Sequence, residues 1–199
     1  MTSMAEHARP WRCFWAVPLQ AEERESLASF VGGLRAQPGV TEGWRFTDAQ
    51  TWHLTLAFLG ATDPDAIEPM VSRVRYALRD IPRFDAMTGQ LGGFPDRHRS
   101  RVLWLGVTDS SGGLARLADA VRLACGVQSD EPFRPHLTVA RSRDRDGAPL
   151  PIPGRPIPRV TLRVEGVVLF RSHLGDGPAR HDRLVAVPLG TSSPVEVKA

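Results

Sequence analysis

With 199 residues, 42% of them hydrophobic and 24% charged, the chain has the composition of a soluble globular protein and can bury a real core as one domain or two small lobes. No apolar run nears the roughly 20 residues of a membrane helix, Met1 to Arg12 lacks the order of a secretory signal, and Cys13 and Cys125 stand singly in apolar stretches, which disfavours a disulfide framework or a clustered zinc site; a cytoplasmic location is the expectation. The net charge of +3 is carried almost wholly by arginine, Lys198 being the only lysine, a bias that a GC-rich genome also produces, so charge alone does not point to an anionic partner.

In chain order, a first strand is expected over Arg12 to Val17. A helix follows from about Ala21 to Arg35, with Leu27, Phe30, Val31 and Leu34 at helical spacing, and Pro38-Gly39 ends it. A strand runs from about His53 to Leu59. Asp63-Pro64 then caps a second helix with Ile67, Met70, Val71, Val74 and Leu78 on its apolar face, stopped by Pro82. A strand near Phe84 to Leu91 and a Gly92-Gly93-Phe94-Pro95 loop lead into a strand over Arg101 to Val107. Ser110-Ser111 caps a helix whose Leu114, Leu117, Val121 and Cys125 point inward and which Gly126 closes. Another strand spans about Pro135 to Ala140. Ala148 to Pro158 reads as an exposed connector, Val160 to Arg171 and Leu184 to Leu189 as further strands, and residues 190–199 as a disordered tail.

The order strand, helix, His-x-Thr strand therefore occurs twice, over about residues 12–59 and 101–141, with Trp15 and Trp104 in echoing positions. Two such halves can pack about an approximate two-fold axis and share one cleft. The expected unit is a single bilobal domain over residues 1–189.

Within each repeat, the strands His53-Leu54-Thr55-Leu56 and His136-Leu137-Thr138-Val139 place His and Thr on one face and the aliphatic residues on the other. One copy would ordinarily be a structural pair. Two copies at equivalent places give a site two imidazoles that titrate near neutral pH, one to serve as general base and one as general acid. The threonine hydroxyls supply neutral donors for an anion's oxygens. This suits phosphodiester cleavage by in-line attack, and needs no metal.

The paired tetrapeptides, with Pro135-His136-Leu137-Thr138-Val139-Ala140-Arg141, Gly93-Phe94-Pro95, the strand at Arg101, Phe133-Arg134 and Leu169-Phe170-Arg171-Ser172, resemble the two-histidine phosphoesterases, specifically the LigT-like RNA 2',3'-cyclic phosphodiesterases. The resemblance runs from Arg12 to Leu189. It implies an α+β fold in which two antiparallel sheets related by a pseudo-two-fold carry helices on their outer faces and enclose a central cleft. It also implies hydrolysis of an RNA or nucleotide 2',3'-cyclic phosphate to a 2'-phosphate, without metal or other cofactor and without a membrane, by a monomer. His53 would be the proton donor and His136 the proton acceptor, while Thr55, Thr138 and Arg141 would bind the phosphate. Strict alternation from His136 puts Arg141 on the wrong face, so that assignment requires a bulge or a strand end just before it. The alternatives are a reversible 2'-5' RNA ligase and a non-catalytic RNA- or nucleotide-binding module of the same fold.

Other residues have blander readings. His98 belongs to a solvated basic loop, His7 to the N-terminus, and His173 and His181 to the surface on either side of a turn at Gly175 to Gly177. Trp15 and Trp104 read as core packing. Trp44, Phe46, Trp52 and Phe94 are candidates to stack a base, with core packing the commoner use. Arg134 and Arg171 contribute positive potential without an assignable contact.

Overall fold

In a computed structural model that describes residues 9–128, 131–173 and 179–190, nine strands form one antiparallel hydrogen-bonded assembly. The chain runs β1 (Trp11–Pro18), α1 (Ala21–Arg35), α2 (Val40–Gly43), β2 (Trp44–Phe46), β3 (His53–Thr62), α3 (Ile67–Leu78), β4 (Phe84–Phe94), β5 (Val102–Thr108), α4 (Gly113–Cys125), β6 (His136–Ser142), β7 (Thr161–Val164), β8 (Gly166–His173) and β9 (Arg180–Pro188). The spatial order β7-β4-β5-β6-β3-β1-β8-β9, with β2 added on β6, divides into two four-stranded sheets. One is β3-β1-β8-β9, the other β6-β5-β4-β7. They meet edge to edge at a single residue pair, Leu54 with Leu137.

That pair joins equivalent positions of the two repeats, so the approximate two-fold axis passes between them. Both leucines are fully buried, and cutting either back to alanine costs about 2–5 kcal/mol and loosens the join itself. On the same face lie Cys13, Trp15, Val17, Leu103, Leu105, Val167 and Leu169. They share one core with Leu27, Phe30, Val31 and Leu34 of α1, Met70, Val71, Val74 and Leu78 of α3, and Leu114, Leu117 and Val121 of α4. The opposite, open face has no helix over it among the described residues and carries a separate small cluster, Phe14, Ala16, Val168 and Phe170. No helix among the described residues is long and apolar enough to cross a membrane.

Several expected elements shift. Gly92, Gly93 and Phe94 belong to β4 rather than to a loop. The glycines are there for room: a side chain at Gly92 would run into the Trp104 indole, and one at Gly93 into Ser100. At the start of α4 the Ser111 hydroxyl accepts from the backbone N–H of Gly113 (3.2 Å), and Asp109 adds the larger share, its carboxylate accepting from the backbone N–H of Gly113 (2.6 Å) and Leu114 (3.1 Å). Asp63 accepts from Asp65 N–H (3.0 Å) over a short 3-10 turn, after which α3 begins at Ile67. The strand expected from Val160 to Arg171 is two strands, β7 and β8, and the last strand begins at Arg180 rather than at Leu184. His7, the turn at Gly175 to Gly177 and the tail from Thr191 lie outside the described residues.

Candidate active site

Each His-x-Thr strand places its two polar side chains on the open face, as alternation requires, and each then breaks alternation at the same place. In β6 the pairing with β5 slips between Thr138 (opposite Trp104) and Ala140 (opposite Leu103), leaving Val139 as the extra residue. In β3 the pairing with β1 slips between Thr55 (opposite Ala16) and Ala57 (opposite Trp15), leaving Leu56 extra. A bulge puts two successive residues on one side and re-aims the side chains after it. Accordingly Val139 and Ala140 are both buried, as are Leu56 and Ala57. The next residues, Arg141 and Phe58, return to the open face. The condition for Arg141 to face the cleft is thus met, and the repeat pairs it with Phe58.

Both bulges are held from the other half of the chain. The Thr47 hydroxyl donates to the carbonyls of Thr138 (3.2 Å) and Val139 (3.0 Å) and accepts from the Trp52 indole N–H (2.9 Å). The Thr47 backbone N–H also donates to Val139 O (3.0 Å). Across the axis, Arg122 Nε of α4 donates to Leu56 O (3.0 Å). Carbonyls displaced from the ladder would otherwise be buried without partners, which costs about 1–3 kcal/mol each.

The two imidazoles are held alike. His53 Nδ1 lies 2.7 Å from Thr51 O, and His136 Nδ1 lies 2.7 Å from Arg134 O. A carbonyl only accepts, so each ring carries its proton on Nδ1 and presents Nε2 as the working atom. Around the Leu54–Leu137 pair, antiparallel order sets His53 across from Thr138 and Thr55 across from His136. The four groups thus form one block on the open face.

Their electrostatics are unequal. Burial pushes His53 from an ordinary 6.5 down to about 4; the Thr51 carbonyl opposes this, and the charges of His181, His136 and Arg141 add to it. Burial also lowers His136, partly offset by the Arg134 carbonyl and reinforced by Arg141. Arg141 itself is lowered, first by burial and then by Arg45. Both imidazoles therefore favour the neutral form at pH 7, unlike the mixed pair expected from unperturbed values. An anion beside the pair would oppose these shifts and raise the proton affinity of both imidazoles.

The walls differ as well. The His53 ring lies 4.7 Å from Phe14 and 5.9 Å from Phe170, with His181 edge-on at 5.4 Å. Phe58, 63% exposed, lies 5.9 Å from Phe14. On the other side Phe94 meets the His136 ring edge-on at 5.0 Å and Trp104 lies at 6.2 Å. His181 is therefore a third imidazole of the site and not a surface histidine. Trp104 belongs to the open face, its counterpart in the repeat being Ala16, whereas Trp15 is core.

Of the remaining candidates, Trp44 and Trp52 are buried and Phe46 packs against the core, so these three are packing residues, whereas Phe94 lies beside His136 and Trp104 on the open face. His98 is exposed, its backbone N–H donating to Asp96 (2.8 Å). His173 pairs with Asp182 (2.6 Å), and the Arg171 guanidinium lies 4.3 Å from the Trp11 ring centre. Arg134 serves through its carbonyl. Sequence alternation has no access to His181, Phe14 or Phe170, and it puts Phe58 with Leu54 and Leu56 on the apolar face; the slip at Leu56 carries Phe58 to the open face instead, five residues after His53 as Arg141 is five after His136.

Residues 24–176 match the model of the 2'-5' RNA ligase superfamily. The chain is 34% identical over 155 residues to the RNA 2',3'-cyclic phosphodiesterase of Escherichia coli (strain K12), covering 74% of this chain and 80% of that one. It is 29% identical over 183 residues to the enzyme of that name from Geobacillus stearothermophilus, where it covers 88% of this chain but spans only 56% of the relative. Among solved structures, Escherichia coli LigT complexed with 3'-AMP superposes with a TM-score of 0.72 at 29% identity, over 90% of this chain and 98% of that one.

Proposed function

The chain belongs to the 2'-5' RNA ligase superfamily, and from that premise we propose that it hydrolyses 2',3'-cyclic phosphate ends of RNA or nucleotides to 2'-phosphates by metal-independent acid–base catalysis. The observation that carries the reading is the matched pair of imidazoles, each fixed by a carbonyl at Nδ1 with Nε2 free, set in one block with two threonines. Near relatives bear the name of this activity.

In this reading His136 Nε2 takes a proton from water as its oxygen bonds to phosphorus. The bond from phosphorus to the 3'-oxygen breaks, and His53 Nε2–H supplies the proton that makes the departing group a hydroxyl. Thr55 and Thr138 donate to the non-bridging oxygens, and Arg141 stabilises the charge that accumulates on them. The cyclic phosphate is itself an anion, so its arrival raises the proton affinity of the buried His53 and charges the acid only when substrate is present. The assignment of His53 as donor and His136 as acceptor rests on the family likeness. The unequal walls are consistent with unequal roles.

We take residues 1–189 as one functional unit, acting as a cytoplasmic monomer. Replacing water by an RNA hydroxyl would turn the same steps into ligation, but nothing among the described residues of the open face favours a second RNA end over water. The test is incubation of purified protein with a nucleoside 2',3'-cyclic phosphate in excess chelator, with identification of the product. Sustained formation of the 2'-phosphate is expected. Activity lost to chelator and restored by a metal, or formation of the 3'-phosphate, would refute the reading.

A further inference from the structure

Beyond the four-residue block, the open face carries a charged residue beside Arg141 that has no role in the chemistry above. Trp44 is buried and Phe46 packs against the core, so Arg45 between them projects from the opposite face of β2. It is the direct cross-strand partner of Arg141. Residues so paired share a face with Cα atoms about 5 Å apart, and like charges directly opposite are destabilising. The Arg45 charge is felt at Arg141, which in turn acts on His53 and His136. Among the described residues, no ion pair joins either arginine to a carboxylate. Arg12 and Arg183 also register on this face, opposite Ser172 and Phe170, but the charges that bear on the two catalytic histidines are those of Arg141 and of the other imidazoles, and the rings of Phe14 and Phe170 stand beside His53 on that side.

Two adjacent, unpaired guanidinium groups, one aimed at the reactive centre and one a strand further out, are matched by two phosphates in succession. We propose that Arg45, with Arg141, forms a subsite for a second phosphate: the one on the 5'-oxygen of the nucleotide whose 2',3'-cyclic end is cleaved. This rests on the function proposed above and narrows its substrate to RNA ends and 5'-phosphorylated nucleotides over nucleoside cyclic phosphates. In RNA the second phosphate is the internucleotide linkage. In a mononucleotide it is the 5'-phosphate.

The test needs no turnover, so its failure is distinguishable from failure of the hydrolysis reading. Adenosine 2'-phosphate and adenosine 2',5'-bisphosphate are titrated calorimetrically into the protein and into Arg45→Gln. The unaltered protein is expected to bind the bisphosphate about tenfold more tightly, and Arg45→Gln to reduce that ratio to about one. Its affinity for the bisphosphate should also depend less steeply on salt, since one screened charge contact is gone. A dinucleotide ending in 2'-phosphate should show the same ratio and the same loss. A ratio near one in the unaltered protein, or a preference that survives Arg45→Gln, overturns the proposal. So does a preference shown by the dinucleotide alone, which would assign it to the second nucleoside rather than to the phosphate.

Discussion

The two halves of the molecule begin from nearly the same hexapeptide, His53-Leu-Thr-Leu-Ala-Phe58 and His136-Leu-Thr-Val-Ala-Arg141, and end with different chemistry. Backbone events coincide: the Nδ1 bond to the carbonyl two residues back, the alternation, and the bulge after the threonine. Side-chain surroundings do not. His53 is set among Phe14, Phe170 and His181 with Phe58 beyond, and is pushed to about 4. His136 has Phe94 and Trp104 for neighbours and Arg141 at the position that Phe58 holds opposite. Duplication supplies the paired geometry, and divergence of the walls makes two identical groups unequal.

The largest effects should come from removing either imidazole. His53→Ala and His136→Ala are each expected to reduce kcat by about 10²-fold or more; a near-normal rate in either variant removes that residue from the mechanism. Arg141→Gln should raise KM by about tenfold through loss of a charge-assisted contact. It should also shift the pH profile upward, since the Arg141 charge lowers both histidines. A downward or absent shift would mean that the guanidinium does not act on the pair. Unfastening a bulge tests positioning. Thr47→Val, which removes the hydroxyl that donates to the Thr138 carbonyl and accepts from the Trp52 indole while the backbone bond to Val139 O stays, should cost about 1–2 kcal/mol in stability and weaken phosphate binding through Arg141. Loss of stability with unchanged binding would make the clamp purely structural.

Smaller effects follow from protonation. With both imidazoles lowered, kcat/KM should be bell-shaped with its optimum below pH 6.5, and kcat should peak at higher pH because bound phosphate raises both groups. The reverse order would contradict the coupling of acid and anion. Stability carries the same signature. His53 is neutral in the fold but protonates freely when unfolded, so its contribution is complete above about pH 6.5 and is lost as the pH falls toward 4. The loss amounts to about 3 kcal/mol. His53→Gln should flatten that stretch of the stability curve.

Much of this was legible in the chain itself. The recurring strand, helix and His-x-Thr strand led to the pseudo-two-fold because aliphatic and polar residues alternate cleanly at Leu54 and Leu137. The bulges were less so. Nothing in Leu56-Ala57 or Val139-Ala140 distinguishes a slipped ladder from a regular one, and only the demand that Arg141 reach the site suggested it. Gly92-Gly93 read as a loop because glycine usually marks a turn, whereas here the missing side chains make room for Trp104 and Ser100. Trp104 was matched to Trp15 by resemblance, and a slip of one residue moves a strand side chain to the other face. His181 was invisible because its contacts come from strands remote in sequence.

The inequality of the two imidazoles can be measured directly by removing the need for an acid. A nucleoside phosphodiester with a nitrophenolate leaving group departs without a proton. Against it, His53→Ala should recover to within about tenfold of the unaltered protein, while His136→Ala should remain depressed by about 10²-fold or more. Equal losses in both variants, or recovery in His136→Ala instead, would contradict the account.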